Sequence, residues 1–84
     1  MITVQQLLSW ARWDPVFGKG EFQIDYYDRM EQKTCKVPLN RVYLTQGDHF
    51  FFHVAGQDGF IHEVPFHRVK EVHKDGKLIW HREH

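Results

Sequence analysis

The stretch richest in chemistry is Val64-Pro65-Phe66-His67-Arg68-Val69. It sets an imidazole beside a guanidinium, directly after a proline that would end a strand. Arg68 offers a planar fork that bonds two oxygens of a phosphate. His67 donates to a phosphate when protonated and takes a proton from a hydroxyl when neutral. One helical turn after the proline would add free backbone N–H groups, which favour anions, although Pro65 removes one donor. A second cluster is Tyr26-Tyr27-Asp28-Arg29. Its ring can stack on a base and Arg29 can hold a phosphate. Asp28 can orient that arginine or accept from a ribose hydroxyl. Each cluster also has an ordinary structural reading. Arg68 would bond a carboxylate or loop carbonyls, Tyr26 would be core, and Asp28-Arg29 would be turn chemistry.

Other chemistries find less support. Trp10, Trp13 and Trp80 read as core residues, with Trp13-Asp14-Pro15 the exception because it falls in a loop. His49 and His53 would share a strand face, and His62 and His67 flank a proline. No Cys-x-x-Cys or His-Glu-x-x-His spacing accompanies them, so neither a metal nor a cofactor is expected. Ser9 falls on a helix and Cys35 on a strand, which leaves no evident nucleophile. No glycine-rich phosphate loop is present. No His has Ser or Thr two residues later, so the tandem motif of two-histidine phosphoesterases is missing too.

These residues need elements to position them. Thr3 with Gln6 forms a capping-box pair, and Val4, Leu7, Leu8 and Ala11 follow at helical spacing. Pro15 predicts an end near Trp13. Residues 21–28 alternate, with Phe22, Ile24 and Tyr26 on one face. Residues 33–37 return as a second strand with Cys35 and Val37 inward. Pro38 ends it, and Leu39 to Val42 forms one helical turn. His49 to Val54 is a strand with Phe50, Phe52 and Val54 together on one side. Gly56-Gln57-Asp58-Gly59 is a hairpin loop, and Phe60 to Val64 returns. A last hairpin runs from Val69 to His81 over Lys74-Asp75-Gly76.

Val37-Pro38-Leu39-Asn40-Arg41-Val42 repeats the opening motif 27 residues upstream, with Asn40 where the later copy has His67. We read this as an internal duplication of one β unit, each copy supplying the core the other lacks. Chance recurrence of strand-end punctuation is the competing reading. The expected fold is α+β, one domain over 1–84. A helix at about 3–13 precedes β units at about 21–44 and 48–81. These would make a mainly antiparallel, curled sheet of five to six strands, a partly closed small barrel.

Eleven basic side chains balance eleven acidic ones. This argues against binding by broad phosphate neutralisation and leaves room for a pocket with two or three placed cations. Five of the seven histidines fall in the last 23 residues, so that end gains positive charge as pH falls through about 6.5. A lone Cys35 allows no intramolecular disulfide and fits a reducing compartment. No apolar run reaches about 18 residues, and no signal sequence is evident. A cytoplasmic protein without membrane contact is expected.

The order Trp13-Asp14-Pro15, Tyr26-Tyr27-Asp28-Arg29, Pro65-Phe66-His67-Arg68-Val69 and Ile79-Trp80 resembles the RNA cyclic-group end recognition domain family. The resemblance covers nearly the whole chain. It implies a small module that recognises processed RNA ends such as 2′,3′-cyclic phosphates. It carries Tyr26, Asp28, Arg29, His67 and Arg68, with Trp13 and Asp14, over as RNA- or phosphate-binding residues. In larger relatives the domain is fused to RNA-processing enzymes, so such an enzyme would act in trans here. Two alternatives stand beside this reading. One is a cyclic phosphodiesterase or ribonuclease with His67 as general acid or base. The other is a β-rich protein-interaction module with no RNA ligand.

Overall fold

The amphipathic stripe near the N-terminus forms helix α1, Val4–Trp13, in the computed structural model, which describes residues 3–45, 47–48 and 50–82. Thr3 caps it, its hydroxyl accepting from the Gln6 N–H at 3.1 Å. Val4, Leu7, Leu8 and Ala11 are all buried. Each leucine-sized side chain removed from water contributes roughly 1.5–3 kcal/mol. The helix stops because Pro15 cannot continue it. Asp14 closes the end, its N–H donating to Trp10 O and its carboxylate accepting from the N–H groups of Val16 and Phe17 at 2.8 and 2.9 Å.

The strands are β1 (Phe22–Asp28), β2 (Lys33–Pro38), β3 (Val42–Tyr43), β4 (Phe51–Ala55), β5 (Ile61–Pro65), β6 (Val69–Lys74) and β7 (Lys77–His81). One-turn 3-10 helices, Leu39–Arg41 and Phe66–Arg68, separate β2 from β3 and β5 from β6. The expectation of one curled sheet of five or six strands is corrected. Among the described residues seven strands form two antiparallel sheets, ordered β2-β1-β6-β7 and β3-β4-β5, and neither closes. Pro38 and Pro65 explain the division. Lacking an N–H, each ends its strand, and the 3-10 turn after it redirects the chain.

The redirection is reciprocal. The hairpins β1-β2 and β4-β5 correspond, with Ile24 opposite Val37 in one and Phe52 opposite Val64 in the other. The third strand of each unit then pairs with the first strand of the other. β3 joins β4, and β6 joins β1. This exchange gives the repeat a structural form, since each unit completes its partner's sheet.

Both 3-10 turns are held in the same way. An Arg12 guanidinium nitrogen on α1 donates to Leu39 O and Val42 O. Arg82 donates to Phe66 O and Val69 O, each at 3.0 Å. These carbonyls occupy matching positions of the two motif copies. Arg82 also lies over the Trp80 ring, 5.3 Å from its centroid. Arg82→Ala strands two part-buried carbonyls, a cost of about 1–3 kcal/mol. For a domain of this size we expect the melting temperature to fall by roughly 4–8 °C for each kcal/mol lost. An unchanged melting curve would show that the turn holds itself.

Phe52 sits where the two sheets meet. It is fully buried, edge-on to Tyr26 with ring centroids 6.2 Å apart, and 5.2 Å from Phe66. Phe50, expected on the same inward face, is 73% exposed instead. The strand begins two residues later than expected, at Phe51, because the Asp48 carboxylate accepts from the N–H groups of Phe50 and Phe51 and bends the chain there. His49, placed at the start of that strand by its sequence, lies outside the described residues.

Candidate functional site

Alternation along β1 sends Tyr26 inward and Tyr27 outward, and the strand delivers Asp28 and Arg29 to the β1-β2 turn. Facing that turn are the β4-β5 loop, strand β5 and the second 3-10 turn. Between them lies a cleft of about 420 Å³. Residues 26–31 form one wall, and Asp58, His62, Glu63, Val64 and Arg68 form the other. The Tyr-x-Asp-Arg stretch and Arg68 therefore meet in space. His67 is exposed on the same 3-10 turn but does not line this cleft, and neither Trp13 nor Asp14 lines it.

The side chains in the cleft divide by what already engages them. Tyr26 is only 8% exposed. Burial first, then the nearby Cys35 and Asp28 charges, pushes its phenol above the ordinary tyrosine range. Its ring is spent on Phe52, and Tyr27, 37% exposed, is the ring free to stack. Asp28 accepts from the Met30 and Glu31 N–H groups at 2.9 and 3.3 Å, so the turn reading of this residue holds. Glu31 pairs with Lys33 at 3.9 Å, and Glu63 with His53 at 3.5 Å. Asp58 meets His62 Nε2 through both oxygens, at 3.2 and 3.1 Å. The Phe60 N–H and then His62 hold the Asp58 carboxyl below its usual range. Arg29 and Arg68, by contrast, make no side-chain hydrogen bond or ion pair among the described residues. The cleft thus presents two uncommitted guanidinium groups among carboxylates that are each engaged. Burial, and then the Asp28 charge, raises the Cys35 thiol, which keeps it protonated and poorly nucleophilic.

A larger groove of about 950 Å³ is lined by residues of α1, β1, β2, the first 3-10 turn and β6. Asn40, the counterpart of His67 in the first motif copy, lines it together with Arg12 and Lys36. On its floor Asp25, Glu71 and His73 bring one potential donor atom each within 4.8 Å of one another.

A family model described as "MJ1316 RNA cyclic group end recognition domain" matches residues 1–82. The chain belongs to this family. Relatives include the UPF0248 protein PH1212.1 of Pyrococcus horikoshii, 33% identical over 84 residues that cover 93% of this chain and 87% of the relative. The UPF0248 protein PYRAB10580 of Pyrococcus abyssi is 32% identical with the same coverage. The UPF0248 protein TK0315 of Thermococcus kodakarensis is 31% identical over 93% of this chain and 89% of its own. No solved structure matches. Among the described residues no helix is long and apolar enough to cross a membrane.

Within this RNA cyclic-group end recognition domain, the family-like motifs do not all converge. Arg29 and Arg68 come together, whereas Trp13-Asp14-Pro15 forms the exit of α1. Sequence reasoning overlooked Asp58 and His62 as a pair. Their i, i+4 spacing across a glycine-containing hairpin loop was the available signal. It also overlooked Arg12 and Arg82, whose partners lie on other elements and left no local trace.

Proposed function

We propose that the chain binds processed RNA ends carrying a terminal phosphate, cyclic phosphates included, in the cleft between the β1-β2 turn and β5. Arg29 and Arg68 would hold the phosphate, and Tyr27 would stack on the terminal base. Tyr26 and Asp28 would shape the site from behind, the first as core and the second as the turn's clasp. His67, on the exposed side of the turn carrying Arg68, would touch the RNA at the rim. Trp13 and Asp14 would contribute through the fold of the helix exit. The observation that carries this reading is the pairing of two unengaged guanidinium groups from distant motifs in one cleft. An RNA-processing enzyme acting in trans would take up the bound end.

The test is binding of short RNAs that differ only at the 3′ end: cyclic phosphate, linear phosphate or free hydroxyl, each at two salt concentrations. A phosphorylated end should bind best, with a shallow salt dependence of about one to three released counterions. Equal binding of all three, or none, would sink the proposal and favour a protein-interaction module.

One observation favours a second reading, turnover of the cyclic phosphate. His62, oriented by Asp58, shares the cleft with both arginines. A carboxylate-oriented imidazole can serve as general base toward a water attacking the phosphorus. If the chain opens a 2′,3′-cyclic end, His62→Ala should abolish that turnover while phosphate-end binding persists, and His67→Ala should spare most of it. Chromatography of the reaction products decides this. Turnover that survives His62→Ala would dismiss the dyad.

A further inference from the structure

We infer that Asp25, Glu71 and His73 form a binding site for a first-row divalent metal ion, on the floor of the larger groove and separate from the proposed RNA cleft. Asp25 is the one charged residue that is buried among the described residues, at 4% exposure. It lies directly opposite Glu71 in the β1-β6 ladder. Like charges facing one another across a ladder destabilise it. Among the described residues only the His73 ring stands within ion-pair distance of these carboxylates, and Lys36, which faces Asp25 from β2, pairs with neither. Burial of one carboxylate against another is therefore an arrangement that calls for a cation, supplied either by a bound metal ion or by a protonated His73.

The histidine supplies an independent observation. His73 Nδ1 is buried and has no hydrogen-bond partner among the described residues. It stands 3.9 Å from Asp25 Oδ2, and His73 Nε2 stands 3.7 Å from Glu71 Oε1. Both separations are too long for hydrogen bonds. One ion takes a single ring nitrogen. The Nδ1–Asp25 separation suits two donors sharing it, because metal–ligand bonds of about 2.0–2.2 Å place neighbouring donors roughly 3–4 Å apart, and one donor atom from each of the three side chains lies within 4.8 Å of the others. Asp25 is also oriented as a ligand would be. The Gln23 side-chain amide donates to its Oδ1 at 3.0 Å, leaving Oδ2 toward His73. Support of this kind around a ligating carboxylate fixes its direction. Register shifts flank the cluster, one between Asp25 and Tyr26 and one between Val72 and His73. Such bulges re-aim side chains and recur beside functional sites.

The donor set selects the ion class. Two carboxylate oxygens alone would suit magnesium or calcium, and the imidazole shifts preference toward zinc, manganese or iron. The groove leaves room for water to complete the coordination. The site does not depend on the RNA-end reading, and its test uses no RNA.

The experiment is titration of the chelator-treated full chain with Zn²⁺, Mn²⁺ and Mg²⁺ separately, followed by calorimetry and by thermal melting. Zn²⁺ or Mn²⁺ is expected to bind one to one and raise the melting temperature, with Mg²⁺ at least tenfold weaker. His73→Gln and Glu71→Gln should each weaken binding tenfold or more, while His53→Gln and His62→Gln leave it unchanged. Asp25→Asn should melt at or above the wild-type temperature without metal, since it removes the like-charge opposition, and should no longer respond to metal. The inference is overturned if neither Zn²⁺ nor Mn²⁺ binds. It is equally overturned if binding survives His73→Gln or follows His53 or His62.

Discussion

Replacing Arg68 with alanine is expected to lower affinity for a 3′-phosphorylated RNA end by about ten- to a hundredfold, with no change in melting temperature. The magnitude follows from a hydrogen bond to a charged group, worth roughly 1.5–3 kcal/mol, where about 1.4 kcal/mol is a factor of ten. Stability should hold because Arg68 has no intramolecular partner to lose among the described residues. Arg29→Ala should behave alike for the same reason. The two changes should not add, because both guanidinium groups would grip one phosphate. A double-mutant cycle should therefore return a coupling energy in the range of about 0.5–3 kcal/mol. Arg68→Lys should recover only part of the loss, since a point charge cannot reproduce a planar fork. Dissociation constants for one cyclic-phosphate oligonucleotide, measured across these variants at fixed salt, give the whole cycle. Affinities within twofold of wild type would remove both arginines from the RNA site.

Phe52→Ala is expected to cost about 3–5 kcal/mol, the largest stability loss of any change proposed for this chain. The side chain is fully buried where the sheets meet, and its removal strips packing from both Tyr26 and Phe66. A domain of this size holds roughly 4–13 kcal/mol in total. The variant should therefore melt more than about 10 °C lower, or fail to fold at physiological temperature. Phe50→Ala, two residues earlier, should change stability by no more than about 0.5 kcal/mol, because that ring is exposed. Paired thermal melts of the two variants test the burial assignment directly. Equal losses would mean that Phe50 packs as its alternation with Phe52 first suggested.

The two experiments also separate the roles within Tyr26-Tyr27-Asp28-Arg29. Tyr26 shares the fate of Phe52, Asp28 clasps the turn, and only Tyr27 and Arg29 face outward uncommitted. Four adjacent residues thus divide between holding the fold and meeting a ligand.

By itself the sequence determined most features set by near neighbours, the Asp48 bend before β4 and the Asp58–His62 pair excepted. Thr3 and Pro15 bound the helix because capping and a missing N–H act within one turn. The alternation of Phe22, Ile24 and Tyr26 marked the buried face, and the two Val-Pro steps marked where strands end. Asp75-Gly76 marked the last hairpin, and both residues indeed adopt positive φ, 52° and 82°. The Asn40/His67 repeat was legible as a repeat. Only the tertiary structure decided which strands pair across units, because a proline says where a ladder stops and not which edge receives the next strand. It alone buried Asp25, which alternation had placed on the polar face, and set Glu71 and His73 beside it. It alone seated Arg12 and Arg82 on the two 3-10 turns. It also brought Arg29 to Arg68 while leaving His67 outside their cleft. Each of these depends on contacts between residues far apart in the chain, and such contacts leave no periodic signal in the sequence.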